Sequence, residues 1–259
     1  EIANRRVDLH SEHPRRPQRG QPIQWTTFTP PAPAQAPALH WMVFSPPCTH
    51  GSFTSGRPLA PFATAWGVDL FLSNDAPDVR AAITGRTAAA RLARAPTQLH
   101  DGPSNEVRFA FDGDAVIFSE ESDEIYKKHG LERFLQHETK NARVPMNRGP
   151  FGNFLVKLSR IRSLYMRPDG ISRVRIAIVT ARNAPSHERV VHTLRAWGTP
   201  ADEAHFVGAH EKGPILGATG AHIFFDDQEK HVLSASGIVA AGLVPGPHAP
   251  DEVIIPAGA

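Results

Sequence analysis

Four short apolar runs, each ending on a polar residue, constrain this chain more than any other feature: VDLFLS (68–73), EVRFAFD (106–112), SRVRIAIVT (172–180) and AHIFFDD (221–227). Runs of this length, rich in β-branched and aromatic residues, read as buried strands. EAHFVG (203–208) reads as a further strand. The segments between them carry helical periodicity. Residues 75–95 begin at Asp75, a good cap; 119–141 place Leu131, Phe134 and Leu135 on one face; 149–166 form another helical stretch. In 186–198, Val190, Val191, Leu194 and Trp197 share a face and Gly198 supplies the stop. Strands alternating with helices imply βαβ units and an open parallel α/β sheet. Such sheets bind ligands at the carboxyl ends of their strands. Asp112, Thr180 and Asp226 each stand at such an end.

The text outside this region is different. Residues 1–50 include TPPAPAQAPAL and SPPCTHG, Pro-rich and without period, and read as a poorly ordered segment. Residues 246–259 read as an irregular tail. A net charge of +2 is too small to draw a nucleic-acid polymer, and Arg5, Arg6, Arg15, Arg16 and Arg19 sit in the Pro-rich segment, where solvation explains them. Cys48 is the only cysteine, which rules out an intrachain disulfide and suits a reducing compartment. No apolar run approaches the ~18 residues of a membrane span, and no secretory signal opens the chain. The expectation is a cytoplasmic protein that does not enter a membrane; a homo-oligomer is compatible with it.

An internal repeat divides the remainder. Residues 53–82 align without gaps with residues 206–235 at a constant offset of 153. Phe53 matches Phe206, Pro61 matches Pro214, Gly67 matches Gly220, Phe71 matches Phe224 and Val79 matches Val232. The pattern predicts a helix–strand–helix unit used twice. The copies differ in charge: Lys212 falls opposite Leu59, Asp226 opposite Ser73 and Asp227 opposite Asn74. A strand end needs no charge for packing, so the charged copy points to chemistry. Residues 51–104 therefore read as a degenerate α/β half-repeat and 105–245 as the catalytic core.

Asp112-x-Asp114, Thr180, Lys212 and Asp226-Asp227 then follow one another in order. Carboxylates converging at a sheet edge repel unless a cation joins them, and a hard divalent ion such as Mg²⁺ takes oxygen ligands. Asp112 and Asp226 supply side-chain oxygens, Asp114 a backbone carbonyl, and Asp227 a direct or water-borne one. No His or Cys stands in the set, which argues against zinc. A phosphate monoester completes the pattern, its dianion bridging the metal, the Lys212 ammonium and the Thr180 hydroxyl. Asp112 is then the nucleophile and forms an aspartyl-phosphate. Asp114 protonates the leaving alkoxide and later deprotonates water. Arg182 and Asn183, just after Thr180, are candidates for phosphate contact.

This order resembles the haloacid dehalogenase superfamily of phosphatases, with FDGDAV, IVTAR, Lys212 and FFDDQ as its four motifs. VRFAFDGDAVIFS, IAIVTARNAPSHERVVHTLRAWG and EAHFVGAHEKGPIL further resemble the cytosolic 5'-nucleotidase type I family and its bacterial relatives, over roughly residues 50–245. The resemblance implies a Rossmann-like open sheet with a small helical cap inserted after the first motif, at about 119–170. It also implies Mg²⁺-dependent hydrolysis of nucleoside 5'-monophosphates, AMP being the expected substrate. Residues 1–48 depart from the family, whose members carry a further α/β portion there. Within the insertion, Phe118, Arg148 and Phe151 are candidates for contact with base, ribose or phosphate. Two alternatives stay open: a phosphatase of the same superfamily for another small phosphomonoester, and a non-catalytic nucleotide or metal binder.

Overall fold

The computed structural model describes residues 57–93 and 105–246. The Pro-rich segment 1–50 with Cys48, the last two residues of the helix predicted over 75–95, and all but the first residue of the tail 246–259 lie outside the described residues.

Seven strands form one sheet. In chain order they are β1 (Leu70–Ser73), β2 (Ala88–Leu92), β3 (Val107–Phe111), β4 (Val174–Thr180), β5 (Glu203–Phe206), β6 (Ile223–Asp226) and β7 (Ala240–Leu243). Across the sheet the order is β1-β2-β7-β6-β3-β4-β5. Every neighbouring pair is parallel except β2 and β7, where Arg91 faces Leu243 and Leu92 faces Gly242 in antiparallel register. The wholly parallel sheet expected from the alternation is thus mostly parallel, with β1 and β2 running against the rest.

The repeat explains that reversal. Helix α1 (Ala60–Ala65), β1, helix α2 (Ala76–Thr84) and β2 recur at the offset of 153 as helix α6 (Lys212–Thr219), β6, helix α7 (Glu229–Ala235) and β7. β1 and β6 correspond residue for residue, and Gly67 and Gly220 share a left-handed backbone, with φ of 62° and 61°. Within each unit the two strands pair in parallel. The units meet through their second strands, which makes that one junction antiparallel.

Sequence periodicity misplaces β2. The helix expected over 75–95 stops at Thr84, where Gly85 closes it and Arg86 turns at φ 62°. Ala88, Ala89 and Ala90 then run as a strand although alanine favours helix. They are buried, and close sheet packing needs side chains this small. β7, which follows α7, has the same cause and carries no β-branched signal of its own.

Both faces of the sheet are covered. Alternate residues of β3 and β6 serve opposite cores: Phe111 and Phe225 pack with Phe151, Leu155 and Ile178, whereas Ala110 and Phe224 pack with Leu216 and Val232. The first core lies under helix α4 (Gly152–Leu164) and helix α5 (His187–Trp197), the second under α6 and α7. Leu155 and Leu158 place α4 in the main core, so this part of the 119–170 insertion lies against the sheet. Helix α3 (Glu121–Lys140) holds a small cluster of its own, Phe134 with Ile125, Tyr126 and Leu135; Leu131, expected on that face, is exposed.

A side chain at Gly242 would crowd the antiparallel junction. Its Cβ would lie 2.9 Å from Ala90 Cβ and 3.1 Å from the Phe225 ring. Gly242→Val is expected to lower the free energy of unfolding by about 1–3 kcal/mol, read as a lower urea midpoint. An unchanged midpoint contradicts the β2–β7 packing.

Candidate active site

β3 ends in a wide turn. The Asp112 N–H donates to the Phe225 carbonyl at 2.8 Å, which ties the strand end to β6. The Phe118 N–H then reaches back to the Gly113 carbonyl at 2.9 Å, with Ala115 held at φ 55°. Gly113 admits the neighbouring strand, since a Cβ there would sit 3.1 Å from Thr180 Oγ1. Asp112, Asp114, Thr180, Lys212, Asp226 and Asp227 are all buried.

One ammonium serves two carboxylates. Lys212, the first residue of α6, places Nζ 2.8 Å from Asp112 Oδ1 and 2.7 Å from Asp226 Oδ2. The other Asp226 oxygen accepts from the Gln228 N–H at 2.8 Å, and the His231 ring approaches the carboxyl at 3.2 Å. Oxygens of Asp112, Asp226 and Asp227 all lie within 4.8 Å of one another. Burial pushes the Asp112 carboxyl well above its ordinary range; Lys212 opposes this, while Asp226 and Asp227 add to it. Burial works against charge on Lys212, but Asp112 and Asp226 outweigh it and hold its pKa above the usual lysine value. At Asp226 burial is likewise overcome, by Lys212 and His231, and the carboxyl stays below its usual range. Three carboxylates are thus buried together, with one ammonium set between two of them. An all-oxygen donor set of this kind fits a hard divalent cation.

Asp114 belongs to a second network. Arg182 grips it with both arms, Nε to Oδ2 at 2.7 Å and Nη2 to Oδ1 at 2.6 Å. The remaining arm, Nη1, donates to Glu138 of α3, which also accepts from Arg189 Nη1 at 2.9 Å and from Ser122 Oγ at 2.9 Å. Burial pushes the Glu138 carboxyl up, but Arg182, Arg189 and Ser122 together bring it below its ordinary value. Asp123, also on α3, is buried with neither carboxyl oxygen hydrogen-bonded. Burial, then Asp114 and Asp227, push its carboxyl well above the usual range.

The other candidates fall elsewhere. Phe118 and Phe151 are core side chains: Phe118 packs on Trp197 with centroids 5.6 Å apart, and Phe151 on Phe225 at 4.8 Å. Both are fully buried. Arg148 is exposed, donates to Asn153 Oδ1 at 2.9 Å and lies over the Trp197 ring. It lines a cavity of about 370 Å³ with Arg86, Lys157 and Arg160, none of them among the Asp112 cluster. Arg182 spends its donors on Asp114 and Glu138 rather than holding them out for phosphate. Asn183 packs beside Gly208 in the turn after β5. Sequence reasoning missed Glu138, Asp123 and His231. All three sit in helices whose acidic or basic residues look like solvated faces, and no local pattern separates them.

A 5'-nucleotidase family model matches residues 47–250. Human cytosolic 5'-nucleotidase 1B is 36% identical over 199 residues, which cover 73% of this chain and 32% of that protein. The chain thus spans about a third of the length of this curated relative. No solved structure matches it.

Removing the shared ammonium should be costly. Lys212→Met leaves Asp112 and Asp226 facing one another in a buried site, and breaking a buried pair costs about 3–5 kcal/mol. Urea unfolding in a chelator should show a loss of this order, and added Mg²⁺ should recover part of it. A loss near zero contradicts the shared ion pair.

Proposed function

The chain belongs to the 5'-nucleotidase family, and from that premise we propose that it is a divalent-metal-dependent phosphomonoesterase acting on nucleoside 5'-monophosphates, AMP first among them. The observation that carries this reading is the Asp112, Asp226, Asp227 and Lys212 cluster: three buried carboxylates whose oxygens lie within 4.8 Å of one another, two of them on one ammonium. When bound there, a divalent cation such as Mg²⁺ supplies positive charge to the phosphoryl oxygens.

Asp112 is the nucleophile. Its oxygen attacks phosphorus, the bond from phosphorus to the leaving oxygen breaks, and an aspartyl-phosphate forms. Lys212, already 2.8 Å from Asp112, stabilises charge on the transferring group, and the Thr180 hydroxyl donates to it. Asp114 protonates the leaving oxygen, then takes the proton of the water that cleaves the intermediate. Helix α3, with its separate small cluster, is the part of the 119–170 insertion suited to cover the site. Among the described residues no helix is long and apolar enough to cross a membrane. That and the cytosolic name of the human relative support a cytosolic setting.

Phosphate release from a panel of monoesters tests this. Mg²⁺-dependent release from AMP is expected, with weaker release from glucose 6-phosphate and ribose 5-phosphate. Asp112→Asn should cut the rate by about four orders of magnitude or more, the scale seen when a nucleophile is removed. Equal rates across the panel sink the nucleotide preference. Binding of AMP without phosphate release sinks the enzyme reading altogether.

A further inference from the structure

We propose that Glu138 is a positioning residue: through Arg182 it orients the Asp114 carboxyl for proton transfer to and from the reacting groups. This rests on the phosphomonoesterase reading of the site.

Nothing close to Asp114 in the chain aims its carboxyl. The residue stands in an irregular turn with non-helical backbone, φ −70° and ψ 144°, and the next residue is left-handed. What aims it is the guanidinium of Arg182, whose two bonds of 2.7 and 2.6 Å fix the plane of the carboxyl as well as its distance. A carboxylate has about four lone-pair sites. The fork takes one on each oxygen and leaves the others for a leaving group or a water.

Arg182 is a long side chain and needs an anchor of its own. Its third arm supplies one by donating to Glu138, and its guanidinium carbon lies 5.5 Å from the centroid of the Phe134 ring on the same helix. Glu138 is in turn pinned by Arg189 and Ser122, both at 2.9 Å. Asp114 alone would match the charge of Arg182. Glu138 also balances the buried Arg189, and desolvation offsets much of the attraction a buried carboxylate gains. Its effect is to fix direction, and it makes the placement of the acid depend on α3.

The leaving group provides the test. As Asp112 bonds to phosphorus, the electrons of the broken bond pass to the leaving oxygen. A ribose alkoxide needs the proton of Asp114; p-nitrophenolate departs without one. The ratio kcat/KM reports only steps through this departure, so slow hydrolysis of the aspartyl-phosphate does not disturb the comparison. Glu138→Gln should lower kcat/KM for AMP by about 10-fold or more, a part of the 10²–10⁴ that positioned acid–base groups contribute. It should leave kcat/KM for p-nitrophenyl phosphate within about threefold, and that arm also reports intact folding. Glu138→Asp keeps the charge but withdraws it by one methylene, so it should show the same selectivity at smaller size; it serves if Glu138→Gln fails to fold. Equal losses on both esters, or no loss on AMP, overturn the proposal. If the wild type cleaves p-nitrophenyl phosphate but not AMP, the nucleotide preference fails and glycerol 2-phosphate takes AMP's place as the alkyl ester. A wild type inert on all three overturns both readings.

Discussion

Negative charge gathered at the ends of β3 and β6 organises this molecule. Asp112, Asp226 and Asp227 are buried within 4.8 Å of one another, and Lys212 is the ammonium placed between the first two. Burying a carboxylate is expensive unless it is paired, and Lys212 pairs with two of the three. The surrounding structure fits that need. The strand ends are locked together by the Asp112 N–H to Phe225 bond, and Gly113 lets Thr180 approach. The helix bearing Lys212 begins at that residue, which fixes its ammonium between the two carboxylates.

The uncharged copy shows what the fold alone requires. After β1, the Ser73 hydroxyl accepts from the Asp75 N–H at 3.0 Å and so shapes the turn into α2. At the matching place after β6, Asp226 Oδ1 accepts from the Gln228 N–H at 2.8 Å and shapes the turn into α7. One oxygen of Asp226 thus does the work of the serine. Its second oxygen is surplus to the fold and meets Lys212. Where Lys212 stands in one copy, the other has Leu59, a buried apolar residue whose N–H bonds to Asp78. The scaffold is shared, and a few substitutions at fixed backbone positions separate a packing unit from a charged site.

Most of this was legible in the sequence, for identifiable reasons. Strands buried on both faces announce themselves as continuous apolar runs, and β3, β4 and β6 lie where the runs do. Asp112, Thr180 and Asp226 close those runs, so their placement follows from the strands. β2 and β7 were hidden because alanine and glycine fill them, chosen for close approach rather than strand preference. The aromatic candidates show another limit: Phe118 follows the turn after β3 and Phe151 precedes α4, and both side chains pack in the core. Proximity in sequence carried no information about direction. Glu138 lies 24 residues beyond Asp114, and only the folding of α3 against α5 brings it to Arg182.

Asp112 and Asp114 are two residues apart, and mutual repulsion disfavours such a pair. The structure resolves this by assigning them to different electrostatic systems. Asp112 joins Lys212, Asp226 and Asp227. Asp114 joins Arg182, Glu138 and Arg189, in which two guanidinium groups balance two carboxylates within the chain. That separation gives the two neighbouring carboxylates different partners, an ammonium for one and a guanidinium for the other. It also divides the labour of the fold. The sheet edge fixes Asp112, while a helix outside the sheet holds Asp114 through Glu138 and Arg182.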